Sequence, residues 1–325
     1  MRAERESYIN REKRAEGDIS MGKKLVLTGV TGKSGGALAE KIGENLSAVN
    51  KMFPDGIRTV VRATSNTSKL DAAIPNIQKV TGNLTDSDTL KEAFHGADTL
   101  VHVAGIHWSR EVVQAAADCH LRRLILVHTT GIYSKYKAAG EEYRRIDEFV
   151  YKTCKENNII LTVLRPTMIY GNISDRNVIT FIKMVDKFPI MPVVNGARYE
   201  LQPVHYEDLG DAFYKVLMNE KATANKDFIL SGGAPILLRD MLTEIGKNLG
   251  KNVKFISCPF WLAYSGAWVV YGLTLKKKDY REKVQRLCEP RTFSFDDAAD
   301  AFGYSPRTFQ EGIKNEVTEY LKRKA

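Results

Sequence analysis

Between Lys24 and Gly36 the chain reads Lys-Leu-Val-Leu-Thr-Gly-Val-Thr-Gly-Lys-Ser-Gly-Gly. Gly29, Gly32 and Gly35 follow an apolar run and open a segment that patterns as a helix. A glycine turn between strand and helix lets backbone N–H groups approach an anion, and the helix N-terminus adds partial positive charge. The chemistry these residues suit is the holding of a pyrophosphate. Gly32-Lys33-Ser34 also resembles the end of a nucleoside-triphosphate loop. That loop requires a glycine at position 27, where Leu27 stands inside the apolar run, so this reading is set aside.

The elements that would position this turn follow from periodicity. Strands are predicted at Lys24–Thr28, Ile57–Val61, Ile77–Val80, Thr99–Val103, Leu124–His128 and Ile159–Leu164. Helices are predicted at Ser34–Asn50, Ser87–Phe94, Arg110–Cys119 and Ala138–Asn157. Alternating apolar strands and amphipathic helices give an α/β fold with a doubly wound parallel sheet, right-handed crossovers and ligand at the carboxyl ends of the strands. After Arg165-Pro166 the rhythm changes to loops, prolines and irregular helices, with helices expected at Arg239–Leu249 and Arg307–Lys324. The organisation expected is a loose tail over 1–20, a core over 21–170, and over 171–325 a smaller substrate lobe with some segments returning to the core. The tail is rich in charge of both signs and lacks the apolar region of a signal peptide. Met21-Gly22-Lys23-Lys24 reads as an internal start that makes the tail an upstream extension.

Composition narrows the class. The chain has 325 residues, 43% of them hydrophobic and 27% charged, as a large globular protein requires. Its four cysteines, Cys119, Cys154, Cys258 and Cys288, form no C-x-x-C pair, which argues against structural zinc or a disulfide framework and for a reducing cytoplasm. The net charge of +9 is spread along the chain without interleaved aromatics, so it suits anionic small ligands rather than nucleic acid.

The spacing Gly29-x-x-Gly32-x-x-Gly35 resembles that of the short-chain dehydrogenase/reductase superfamily, which implies a Rossmann-like sheet that binds NAD or NADP. The resemblance extends to Gly82-Asn83-Leu84-Thr85-Asp86, similar to the family segment that packs against adenine, with Asn83 in place of the usual Asp. Val103-Ala104-Gly105-Ile106 is similar to the segment beside the cofactor. The cofactor residues so implied are Thr28, Gly29, Thr31, Gly32, Lys33, Ser34, Gly35, Asn83, Leu84, Val103, Ala104, Gly105 and Pro166. At the end of the second strand an acid would bind the ribose hydroxyls of NAD, whereas an arginine accommodates a 2′-phosphate. Arg62 stands there, so NADP(H) is favoured over NAD(H).

In that superfamily a tyrosine moves the proton, a lysine four residues on lowers its pKa, and a Ser or Thr after the fifth strand orients the substrate. Thr129 and Thr130 match the hydroxyl position and Tyr143 the tyrosine, but Asp147 occupies the lysine position. A carboxylate raises a neighbouring tyrosine pKa. Tyr133-Ser134-Lys135-Tyr136-Lys137 supplies a literal Tyr-x-x-x-Lys nearer the strand, so Tyr133 with Lys137 is the competing pair. The segment Glu141–Val150 resembles atypical members, many of which lack the pair and some of which bind cofactor without turnover.

Leu164–Gly171 with Asp175-Arg176-Asn177, and Pro203-Val204-His205-Tyr206-Glu207-Asp208-Leu209, resemble segments of the extended, nucleotide-sugar branch. There they border nicotinamide and substrate, which implies substrate roles for Arg176, Asn177 and His205. Arg165, Arg176 and Arg198 are diphosphate candidates, since guanidinium offers a planar fork, although an arginine just after a strand more often pairs with a structural carboxylate. Asp208 is also placed to cap a helix over Leu209–Met218. Pro259–Leu273 is apolar and aromatic and is followed by Thr274-Leu275-Lys276-Lys277-Lys278. Foremost this predicts a pocket wall or core element; a face for a second copy or a membrane interface are the other uses. The expected function is an NAD(P)-dependent oxidoreductase or epimerase acting on a nucleotide sugar or similar small carbonyl or alcohol. The alternatives are a cofactor-binding regulatory or assembly protein without turnover, and a membrane-peripheral reductase of an apolar alcohol. No metal site is expected.

Overall fold

The computed structural model describes residues 23–324 except 137, 139, 176, 189 and 276–278. The tail over 1–20, Lys137, Arg176 and Lys276–Lys278 therefore lie outside the described residues. Seven strands form one parallel sheet: β1 (Leu25–Thr28), β2 (Ile57–Val61), β3 (Gln78–Thr81), β4 (Thr99–His102), β5 (Arg123–Val127), β6 (Ile160–Pro166) and β7 (Lys226–Leu230). Their spatial order is β7-β6-β5-β4-β1-β2-β3. The order reverses at β1, which lies between β2 and β4, and the crevice at that switch point is where such sheets bind ligands.

Every residue of β1, β4 and β5 is buried because helices cover both faces. One apolar layer joins Leu25, Leu27, Leu38 and Ile42 to Phe213 and Val216. The other joins Val26, Leu100 and Leu124 to Val112, Ile146 and Val150. Buried area of this extent, at about 25 cal/mol per Å² of apolar surface, supplies the main drive to fold.

Three differences from the sequence expectation have identifiable causes. The helix expected over Ser34–Asn50 is two helices, Lys33–Glu44 and Leu46–Met52, broken at Asn45, whose non-helical backbone ends one and begins the other. Its side-chain amide donates to Lys41 O at 3.0 Å. β7 was not predicted; it comes from the C-terminal half and pairs with β6 from Lys226↔Thr162 to Leu230↔Pro166. Asp208 does not cap its helix, which starts at Tyr206 with the His205 side chain accepting from Glu207 N–H. Asp208 instead holds Arg307, with Oδ1 2.9 Å from Nε.

A smaller lobe has its own core of Val178, Ile182, Met191, Met241, Ile245, Phe309 and Ile313. It carries short pairs: Ile169–Tyr170 with Val204–His205, Glu200–Leu201 with Ile236–Leu237, and Ile190–Val194 with Lys254–Cys258. The apolar segment expected as pocket wall or core is not core. Phe260–Leu273 is a helix in which Ala267 alone of the described residues is buried.

Candidate functional site

The glycine turn leaves β1 and enters the helix Lys33–Glu44. Gly29 has φ of 81°, a left-handed conformation natural to glycine, and a Cβ there would lie 2.6 Å from Ala104 N. A Cβ on Gly35 would lie 2.3 Å from Gly29 O. The helix has no side-chain cap at Gly32 and no acid in its first turn, so its leading N–H groups face outward without negative charge nearby. Around this turn runs a cleft lined by Gly29, Thr31, Gly32, Arg62, Ser65, Asn83, Leu84, Val103, Ala104 and Trp108. Ser65 Oγ is buried with no hydrogen-bond partner among the described residues. An uncapped helix start, a floor that admits only glycine and an unsatisfied hydroxyl fit a dinucleotide with its pyrophosphate over the turn.

Several residues assigned to the cofactor lie behind this surface. Thr28 is fully buried, and its hydroxyl is 2.7 Å from His102 Nδ1. His102 Nε2 is 3.1 Å from Gly105 O. A carbonyl only accepts, so Nε2 carries the proton and Thr28 donates to Nδ1. Burial pushes His102 down to about 4, which keeps it neutral. Thr28 therefore acts on the Gly105 loop through His102. Gly105 itself has φ of 100°. Lys33 lines an adjoining hollow with Thr31 and Gly32 on the far side of the turn. Ser34 and Gly35 belong to the first helical turn, not to the wall of the cleft.

A second cavity opens at the end of β5, the neighbour of β4. Thr129, Thr130, Tyr133, Ser134, Thr167, Met168, Asn177 and Gln202 line it, and Arg286, Glu289, Arg291 and Phe293 close it from the C-terminal segment. Thr129 Oγ accepts from Gly131 N–H at 3.0 Å, which leaves its proton for a substrate oxygen. Thr130 Oγ donates to Pro166 O at 3.2 Å. Thus Pro166 acts through its carbonyl on Thr130. Tyr133 is 51% exposed with its ring 5.8 Å from that of Phe293. Glu289 holds the loop, accepting from Ser134 Oγ at 2.6 Å and from Lys135 N–H at 2.8 Å. Arg286 and Arg291 each have a buried Nε without a hydrogen-bond partner among the described residues. Burial pushes Arg291 down to about 10, still cationic at neutral pH.

Tyr143 stands outside this lining but within electrostatic reach of Arg286, which belongs to it. It is 6% exposed and packs in the helix Gly140–Glu156 with its hydroxyl 3.4 Å from His107 Nε2. Burial pushes its pKa up. It does not line the chamber that holds Tyr133. His205 is buried, its ring between those of Tyr170 and Tyr206, and likewise outside the chamber.

Asp147, at the lysine position, is the centre of a buried network. Its Oδ1 is 2.7 Å from His128 Nδ1 and its Oδ2 is 2.8 Å from Arg165 Nη2. Arg165 also binds Asp227 at 2.8 Å, and His128 Nε2 is 3.0 Å from Ser109 Oγ. Burial pushes Asp147 up, but His128 and Arg165 together outweigh it and hold the carboxylate below its ordinary range. Burial pushes His128 down despite Asp147, so His128 is neutral, donates from Nδ1 and accepts the Ser109 hydroxyl proton at Nε2. Ser109, His128 and Asp147 have the connectivity of a hydrolytic triad, but Ser109 is fully buried and no substrate reaches it. The network ties β5, β6 and two helices together beneath the chamber.

These two cavities, side by side at the carboxyl ends of β1, β4 and β5, agree with what the chain is similar to. Residues 29–183 match a family model described as NAD(P)H-binding. The match runs from the glycine turn through β6, the part of the sheet that carries the cleft and Thr129. It is 24% identical to a 4-hydroxy-2-methyl-3-oxo-4-farnesyl-3,4-dihydroquinoline-1-oxide ketoreductase of Stigmatella aurantiaca, across 88% of this chain and 94% of that one. It is 20% identical to a UDP-glucose 4-epimerase of Vibrio cholerae, across 94% of this chain and 98% of that one. Its fold matches the structure of a UDP-glucose 4-epimerase of Thermotoga maritima solved with UDP-glucose, with TM-score 0.67 at 15% identity over 93% and 100% of the two chains. Of the residues at these two cavities, the glycine turn, Arg62, Asn83, Leu84, Val103 and Ala104 were legible in the sequence. Ser65, Trp108 and the arginines at 286 and 291 were not. No motif marks the last two, and their approach to Thr129 depends on how the C-terminal segment crosses the sheet.

Proposed function

We propose that this chain is an NAD(P)-dependent oxidoreductase or epimerase of the extended short-chain dehydrogenase/reductase family, acting on a carbonyl or alcohol carbon of a small substrate that carries an anionic group, as a nucleotide sugar does. The observation that carries this reading is the chamber that brings Thr129, Thr130 and Tyr133 together with Arg286 and Arg291 beside the cofactor cleft. The two similar proteins named above act, by their descriptions, on a nucleotide sugar and on a prenylated ring ketone, and both reactions are at a carbon bearing oxygen. When bound, the nicotinamide exchanges hydride with that carbon. The chain's own contribution is to the oxygen. Thr129 donates a hydrogen bond to it, and the Tyr133 hydroxyl, in the same cavity, gives or takes the proton. Arg286 and Arg291 attract the anionic end, a use for which their unsatisfied Nε groups and the overall charge of +9 are suited. Tyr143 and Asp147 serve as packing and scaffold in this assignment.

The test is steady-state oxidation of NADPH over a panel of keto sugars and cyclic ketones. Tyr133→Phe lowers kcat by about 100-fold or more while the Kd for NADPH stays within twofold, and Tyr143→Phe changes kcat by less than about threefold. The reverse pattern assigns the proton to Tyr143 and overturns this choice. One observation favours the reading without turnover, namely that Asp147 fills the lysine position and is wholly engaged by His128 and Arg165. Cofactor binding with no oxidation of NADPH on any member of the panel would establish it.

NADP(H) is the proposed cofactor, because Arg62 and the unsatisfied Ser65 hydroxyl share the wall of the cleft where a 2′-phosphate would lie. Arg62→Ala raises the Kd for NADPH by about tenfold and leaves that for NADH within twofold. Fluorescence titration reads both, since Trp108 lines the same cleft. Equal weakening of the two cofactors would assign Arg62 to packing.

A further inference from the structure

The helix Phe260–Leu273 contains no charged residue. A helix apolar all round is normally buried in a core or in a membrane. This one lies on the surface. Trp261 is 67% exposed, Leu273 80% and Leu275, just beyond it, 81%. At 100° per residue, Trp261, Leu262, Trp268, Val269 and Leu273 share one side, separated only by Ser265 and Gly272, and all five side chains are exposed. Ala267, on the opposite side, is the buried one. The inner side packs on the helix Arg281–Leu287. An apolar strip so concentrated marks an interaction site rather than scattered surface residues.

The chemistry around the strip selects its occupant. In sequence, the eight positions 276–283 that closely follow the helix carry five basic residues against two acidic ones, three of the basic ones being Lys276–Lys278, which lie outside the described residues. Of these, Arg281 reaches the strip, with its guanidinium 4.2 Å from the Trp268 ring centroid and 4.0 Å from that of Tyr271, while it is also ion-paired with Asp279 at 2.6 Å. Lys283 lies over Tyr280. Tryptophan and tyrosine with basic neighbours are the composition of a bilayer interface carrying anionic headgroups. A second copy would bring the same basic border, and a second charge of +9, against the first. At about 1.5 Å per residue the helix is roughly 21 Å long, and among the described residues no helix is long and apolar enough to cross a membrane.

We infer that the helix Phe260–Leu273 docks the protein in the plane of an anionic lipid bilayer, with Trp261, Leu262, Trp268, Val269 and Leu273 sunk among the acyl chains. Arg286, in the helix beneath it, lines the substrate chamber, so docking places the mouth of that chamber near the lipid surface. This last consequence rests on the chamber being the active site; the docking does not.

Flotation of the full chain with vesicles tests the inference. Phosphatidylcholine vesicles containing about one-third phosphatidylglycerol are compared with phosphatidylcholine alone, at low and high salt. The chain floats with the anionic vesicles roughly tenfold more than with the neutral ones at low salt, and the double variant Trp261→Asp, Leu273→Asp loses this by roughly tenfold. NADPH titration of the variant, unchanged from the parent, shows that the cofactor domain is intact, and the milder Leu273→Ser loses part of the binding. The inference is overturned if the chain stays unbound on anionic vesicles at low salt, or if the double variant floats as the parent does. It is equally overturned if sedimentation velocity shows a dimer that the double variant abolishes while neither floats.

Discussion

Gly35→Ala abolishes cofactor binding, with the Kd for NADPH rising about 100-fold or more. The added Cβ would stand 2.3 Å from Gly29 O and 2.8 Å from Val30 Cα, and both neighbours are backbone. They cannot rotate away as a flexible side chain would. Gly29 cannot yield either, since it is already in the left-handed region and packed so closely that a Cβ on it would lie 2.6 Å from Ala104 N. The turn must therefore open, and the leading N–H groups of the helix Lys33–Glu44 swing off the pyrophosphate position. A hundredfold loss corresponds to about 2.7 kcal/mol, within what a displaced set of charge-assisted hydrogen bonds supplies. Titration by tryptophan quenching measures it, and circular dichroism melting shows whether the variant is folded. A folded Gly35→Ala protein that binds NADPH within threefold of the parent would sink the assignment of this turn.

The second large effect concerns the position where the superfamily carries lysine. Asp147→Lys is expected to destabilise the fold rather than restore catalysis. The carboxylate is buried between His128 at 2.7 Å and Arg165 at 2.8 Å. Removing it leaves Asp227 as the one carboxylate on the Arg165 guanidinium among the described residues, beside the Tyr151 hydroxyl, and the new ammonium adds like charge there. Breaking a buried pair costs about 3–5 kcal/mol, and adding a second cation increases that. Urea unfolding of Asp147→Lys shows a stability lower by at least about 3 kcal/mol, or no folded protein. Asp147→Asn, which keeps the shape and one acceptor, loses less. If Asp147→Lys were as stable as the parent and more active, the aspartate would be a simple replacement of a catalytic lysine, not a structural centre.

The buried network also explains why this position could not be read from the chain. Tyr143 and Asp147 stand in the right places along the sequence, four residues apart on one helix. What decides their use is the company brought by other elements: His128 from the end of β5, Arg165 from β6 and His107 from the loop after β4. The notion that an arginine just after a strand pairs with a structural carboxylate describes Arg165, though it found two carboxylates and lies within the strand.

The sequence by itself determined most of the parallel sheet, since six of its seven strands follow local periodicity and differ from observation by one or two residues at their ends, whereas among the helices between them that over Ser34–Asn50 is broken at Asn45 and Ser68–Ala73 was not expected. It also determined the cofactor turn, because a strand, three spaced glycines and a helix start are contiguous along the chain and need no distant partner. Tertiary structure alone decided the rest. β7 is a strand because β6 offers an unpaired edge to Lys226–Leu230, which has no strong alternation of its own. The chamber exists because Glu289 anchors the Thr130–Tyr133 turn and its following loop to the C-terminal segment, so that Arg286 and Arg291 meet Thr129 across more than 150 residues of chain. The apolar helix Phe260–Leu273 reads as core in composition; only the absence of any element over its outer side, among the described residues, turns it into a surface. Composition fixes what a segment prefers, and the order in which segments cover one another fixes which preferences are met.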